Sequence, residues 1–113
     1  MTRLLLPLLT ALPFAAQAGP VCTFTEECFG TFACEKTDYS IEVILDTPMI
    51  LSSMIEDLEV VYSEVTEDRT QLVARGLGSL NLLTIRGDRA LMSVHIGSAP
   101  SVVTYHGTCE AGT

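Results

Sequence analysis

The sequence predicts a small all-β domain, an antiparallel barrel or sandwich of about 6–8 short meander-like strands stapled by disulfides. Three observations carry this. Apolar residues alternate with polar ones through most of the chain. Turn signals recur at intervals of about 8–12 residues, as in sandwiches and barrels. Four cysteines, an even number, accompany a leader-like amino terminus.

The leader is residues 1–18, MTRLLLPLLTALPFAAQA. It has one cation, Arg3, an apolar run from Leu4 to Ala16, and the small-x-small series Ala16-Gln17-Ala18, which is the layout of a secretory signal peptide. The 13-residue run falls short of the roughly 20 residues that cross a bilayer. Pro7 and Pro13 weaken it as a helix. Gly19-Pro20-Val21 before Cys22 departs from the aliphatic-small-small pattern that precedes a lipidated cysteine. Cleavage after Ala18 is expected to leave a single β domain, residues 19–113, with no membrane anchor, secreted or periplasmic.

Cys22, Cys28, Cys34 and Cys109 all fall in that domain, and an oxidising compartment makes two disulfides the expectation. The C-x5-C gaps differ from the C-x2-C spacing of zinc and redox motifs. Of three possible connectivities, Cys34–Cys109 with Cys22–Cys28 is the expected one, because Cys34 stands just before the first clearly alternating strand. Cys22–Cys109 with Cys28–Cys34 is the close alternative. In each case Cys109 ties the last strand to the amino-terminal segment.

The strands follow in order. Tyr39–Leu45 places Tyr39, Ile41, Val43 and Leu45 on one face, with Ser40 and Glu42 on the other. Leu58–Glu64 groups Leu58, Val60 and Tyr62. Thr70–Gly76, Leu80–Arg86, Ala90–Ile96 and Val102–Cys109 complete the series, separated by turn signals at 66–69, 76–79, 87–88 and 97–100. In the last strand Tyr105 reads as a core aromatic. Between the first two strands, Thr47 and Pro48 read as a helix N-cap and first position, and Ile50, Leu51, Met54, Ile55 and Leu58 recur at helical spacing. A short helix over Pro48–Glu56 is the alternative there, with strand continuation expected because both neighbours are strands.

Charge is one-sided: 6 basic against 14 acidic residues, a net charge of −8. Nucleic acid and anionic membrane surfaces are repelled by such a chain. Glu56, Asp57, Glu59, Glu64, Glu67 and Asp68 crowd one stretch, which reads as a solvated edge or as a patch facing a basic protein partner. No calcium-loop spacing occurs within it.

His95 and His106 are the neutral-pH bases. A four-residue loop at Gly97–Pro100 would set Ile96 opposite Ser101, His95 opposite Val102 and His106 opposite Leu91, which separates the two imidazoles too far to share a metal. No G-x-S-x-G elbow and no G-x-G-x-x-G cradle occurs, and no cofactor is implied. Arg86-Gly87-Asp88 spells an adhesion tripeptide, but Gly-Asp is equally good hairpin-turn chemistry. With no Trp and few aromatics, a carbohydrate platform has little support. The expected function is an exported, non-catalytic acidic binding module, such as an inhibitor or an envelope-associated interaction protein. The alternatives are a small hydrolase-like enzyme using His95 or His106 with a carboxylate, and a purely structural envelope protein.

Overall fold

The computed structural model describes residues 18–111. Among them are eight strands and no helix: β1 (Ala18–Phe29), β2 (Glu35–Ile44), β3 (Ile50–Ser53), β4 (Asp57–Val65), β5 (Thr70–Gly76), β6 (Ser79–Arg86), β7 (Arg89–Ile96) and β8 (Ser101–Glu110). Each strand pairs antiparallel with its sequence neighbours, and β8 returns to β1, so the sheet closes into an up-and-down barrel. Closure removes the unpaired edges that an open sheet exposes. The all-β class and strand number follow the alternation, and closure decides for a barrel over a sandwich. Of the expected signal segment, only Ala18, the first residue of β1, lies within the described residues.

Alternation fills the interior. Ile41, Val43, Leu51, Leu72, Leu83 and Met92 are fully or almost fully buried, with Cys22 and Phe24 from β1. An eight-stranded barrel is just wide enough for side chains of this size to fill it. The outer wall is mixed, with Glu26, Lys36, Asp38 and Glu42 exposed on β1 and β2 and Tyr62, Leu80, Leu82 and Leu91 exposed on β4, β6 and β7.

Of four expectations, the strand continuation over Pro48–Glu56 is met and the other three are corrected. The stretch Pro48–Glu56 holds strand β3, not a helix. Ile50 pairs with Ile44 on one side and Glu59 on the other, so a strand here completes two ladders that a helix would leave open. Tyr62 leaves the core face, because a bulge between Val60 and Tyr62 adds one residue and reverses the alternation. Tyr62 then pairs with outward-facing Val73 and is exposed. Leu45 follows the last residue of β2 and is likewise exposed.

The fourth is the disulfide pairing, where the expected Cys34–Cys109 with Cys22–Cys28 is corrected. The bridges are Cys22–Cys109 and Cys28–Cys34. The physical reason is that β1 is the first strand. It begins before Cys22 and pairs along its length with β8, which sets Cys22 directly opposite Cys109. Cys28 and Cys34 flank the loop after β1, one step beyond the Glu27–Glu35 pair that ends the β1–β2 ladder. The argument that Cys109 joins the last strand to the amino-terminal segment stands. The disulfides place the domain in a non-cytoplasmic, oxidising compartment.

Candidate functional site

The up-and-down topology sorts the turns by end. Turns 30–34, 54–56, 77–78 and 97–100 share one end of the barrel, and turns 45–49, 66–69 and 87–88 share the other. The two ends differ in chemistry. At the first, the tips are Phe32, 77% exposed, Met54, 101%, Ile55, 80%, and Leu77, 94%. At the second stand Asp46, Glu67, Asp68, Arg69 and Asp88, with Arg86 and Arg89 flanking the last turn.

Local sequence builds each apolar tip. Leu77 precedes Gly78, whose φ of 77° lets the two-residue turn close and leaves Leu77 at its apex. Ser53 shapes the next turn: its hydroxyl accepts from the N–H groups of Ile55 and Glu56, both at 3.2 Å, and Met54 and Ile55 point out. The Cys28–Cys34 bridge clamps the loop that carries Phe32, whose N–H donates to the Phe29 carbonyl at 2.9 Å.

Hydrogen bonds tie the turns at this end to one another and to the start of β8. Gly30 N–H donates to the Val102 carbonyl, and Gly97 N–H to the Gly78 carbonyl, each at 3.0 Å. Leu77 N–H donates to Glu56 Oε1 at 3.3 Å. An apolar cleft of about 660 Å³ lies beside the rim, lined by Leu80, His95, Ile96, Pro100 and Val102.

Of the six carboxylates of the sequence-predicted patch, Asp57, Glu59 and Glu64 are exposed on the outer side of β4. The six follow β4 from one end of the barrel to the other. Glu56 accepts from Leu77 N–H across two turns, and Asp57 accepts from Ser52 Oγ at 2.7 Å. Glu59 pairs with Arg75 at 2.9 Å and Glu64 with Arg69 at 2.8 Å. Glu67 and Asp68 lie in the charged turn at the far end. The Thr66 hydroxyl, donating at 2.9 Å, and the residue's own backbone N–H hold the Asp68 carboxyl below its ordinary range, and Arg86 and Arg69 add attraction.

His95 faces Val102 and His106 faces Leu91, the register that the four-residue loop predicts. Both are exposed on the outer wall, four residues apart along the ladder. Glu26 is the cross-strand neighbour of His106, but no ion pair joins them among the described residues. Glu26, Cys28 and Cys34 bring possible ligand atoms within 4.8 Å of one another. Both sulfurs are spent in the disulfide, so no thiolate is offered there. The Arg86-Gly87-Asp88 tripeptide spans the end of β6 and its two-residue turn. Gly87 takes φ 62° in the first central position, the conformation that hairpin twist demands.

Within the barrel, Phe24, Tyr39 and Tyr105 pack with ring centroids 5.1–6.0 Å apart, Phe24 stacked on Tyr39 and the other two pairs tilted. Burial pushes the Tyr105 phenol above its ordinary value, and a hydrogen bond to Glu27 and the charge of that carboxylate push it further. The neutral phenol is therefore favoured in the fold. Its contribution to stability is complete below about pH 10, the unfolded value, and is lost as pH rises through the folded one. Urea unfolding from pH 8 to pH 11 should show wild-type stability falling, with Tyr105→Phe falling less. Equal declines would mean that Tyr105 ionises as freely in the barrel as in the unfolded chain.

Compared with protein-family models, curated proteins and solved structures, the chain matches none, so its reading rests on the barrel and its two unlike ends.

Proposed function

We propose that the protein is an exported, non-catalytic binding module whose contact surface is the apolar rim. One observation carries this reading: Phe32, Met54, Ile55 and Leu77, on three separate turns, stand exposed at one end of the barrel, with the Met54–Ile55 and Leu77 turns bonded to each other through Glu56. Large apolar side chains at the apex of a turn contribute little to the fold that presents them, and they cost solubility. At turn tips that carry no ionisable side chain of their own, they suit contact with a partner. The leader-like residues 1–18 support secretion or a periplasmic location. The carboxylates of residues 56–68 act chiefly in local bonds and in solubility, so the rim is favoured over an acidic face as the contact.

Capture from the producing cell's envelope and medium tests this. Three baits are compared: wild type, a rim variant (Phe32→Ser, Met54→Ser, Ile55→Ser, Leu77→Ser) and a histidine variant (His95→Gln, His106→Gln). The component retained by wild type should be lost with the rim variant and kept with the histidine variant. Retention that survives the rim substitutions, or that vanishes with the histidines, would overturn the reading.

A further inference from the structure

We infer that the rim docks on the surface of a phospholipid bilayer, with Phe32, Met54, Ile55 and Leu77 entering the interface while the barrel wall stays in water. This deepens the binding-module reading and rests on it. Three observations select a lipid surface over a protein groove or a second copy.

The first is the state of the backbone at the tips. A segment that leaves water must satisfy its own polar groups, because hydrocarbon offers none. The N–H groups of Gly30, Phe32, Ile55, Glu56, Leu77 and Gly97 all donate within the protein. At three of the four tip residues, Phe32, Ile55 and Leu77, the N–H group therefore needs no partner's acceptor.

The second is the placement of charge. Residues 29–33, 54–55, 77–78 and 97–100 contain no ionisable side chain. The nearest carboxylates stand at the bases of the turns. Glu56 is held by Leu77 N–H, and Glu35 is exposed just after Cys34. Arg75, paired with Glu59, stands directly before Gly76 and the Leu77 tip. Charged groups set one step back from apolar tips limit insertion to the headgroup depth, where such groups remain hydrated.

The third is shape. The large apolar groups stand on separate turns around the end of the barrel, and no single tip forms a continuous ridge. A fluid interface accepts separated side chains, whereas a folded partner needs a matching pit for each. The net charge of −8 adds a condition: the membrane favoured is one of zwitterionic headgroups, because anionic lipid repels the protein as a whole.

Vesicle flotation of the exported, disulfide-bonded protein tests this. Wild type should float with phosphatidylcholine–phosphatidylethanolamine vesicles. The rim variant, which should melt at the same temperature because its sites are exposed, should partition roughly 100-fold less. Both proteins carry the same amino terminus, so the difference reports the rim alone. Vesicles containing phosphatidylglycerol should bind wild type more weakly at low salt, and the gap should close near about 0.5 M salt as the repulsion is screened. Phe32→Leu, which keeps an apolar tip, should retain binding. Equal partitioning of wild type and rim variant, or no flotation of wild type, would overturn the inference. A dimer abolished by the rim substitutions without vesicle binding would make the occupant a second copy. Rim-dependent capture of a protein without vesicle binding would leave the rim as the contact surface and remove lipid as its ligand.

Discussion

Replacing Cys109 by Ser is expected to lower the unfolding free energy by about 4 kcal/mol, within the range of about 2–5 typical when a small exported domain loses a native disulfide. The size follows from where the bridge lies. Cys22 is fully buried and Cys109 nearly so, and they face each other in the β1–β8 ladder, the one pairing that joins the two ends of the strand series. The bridge spans a sequence separation of 87. In the chain-entropy model, a loop of that length is worth about 4–5 kcal/mol, because the unfolded chain loses most when distant segments are tied. The Cys28–Cys34 bridge spans 6, for which the same relation gives about 2 kcal/mol. Urea unfolding of Cys109→Ser beside a Cys28→Ser, Cys34→Ser double variant therefore separates the two bridges. The first should lose about twice as much as the second. Equal losses would mean that the seam disulfide adds nothing beyond its local contacts. Against a total of about 5–15 kcal/mol, the larger loss would leave a barrel close to unfolding.

Local alternation made the wall of the barrel legible, because period 2 is written residue by residue. The β7–β8 register could be read as well: a four-residue loop fixes which residues face, and His95–Val102 and Leu91–His106 follow. Features that depend on a break in the period were hidden. The bulge that turns Tyr62 outward adds one residue without a sequence mark. A second bulge, between Phe24 and Glu26, interrupts β1 and conceals that Cys22 and Phe24 belong to a strand. Without β1 as the first strand, the disulfides could not be paired correctly. The rim was the least visible feature. Phe32, Met54, Ile55 and Leu77 lie far apart in the chain and come to one end only when the barrel closes. Met54 and Ile55 looked like part of a helical apolar face because their neighbours Leu51 and Leu58 are core residues. Gly76-Leu77-Gly78 held the one local clue, a large apolar residue between two glycines in a turn.

Phe24→Ala is expected to cost about 3–5 kcal/mol, the range for removing a buried aromatic ring. Phe24 is fully buried and heads the ranking of enclosed side chains by volume. Its ring lies 6.0 Å from that of Tyr39 and 5.8 Å from that of Tyr105, so truncation also removes aromatic pairing worth about 0.5–1.5 kcal/mol. Its cross-strand neighbour is Gly107, where a β-carbon would run into the Thr23 carbonyl and the Phe24 backbone. The strands are thus already in their closest approach beside the ring and cannot move inward to fill the space it leaves. Ladder closure around eight strands fixes the circumference as well, so a cavity persists, and persistent cavities put truncations at the upper end of the range. Phe32→Ala is the control. The same side chain is lost from the turn just beyond the same strand, at a residue 77% exposed, and stability should change by no more than about 0.5 kcal/mol. Equilibrium unfolding of the two variants measures the contrast directly. A loss below about 1 kcal/mol for Phe24→Ala would show that the barrel collapses onto the missing ring. Near-ultraviolet circular dichroism would then report Tyr39 and Tyr105 repacked against each other in its place.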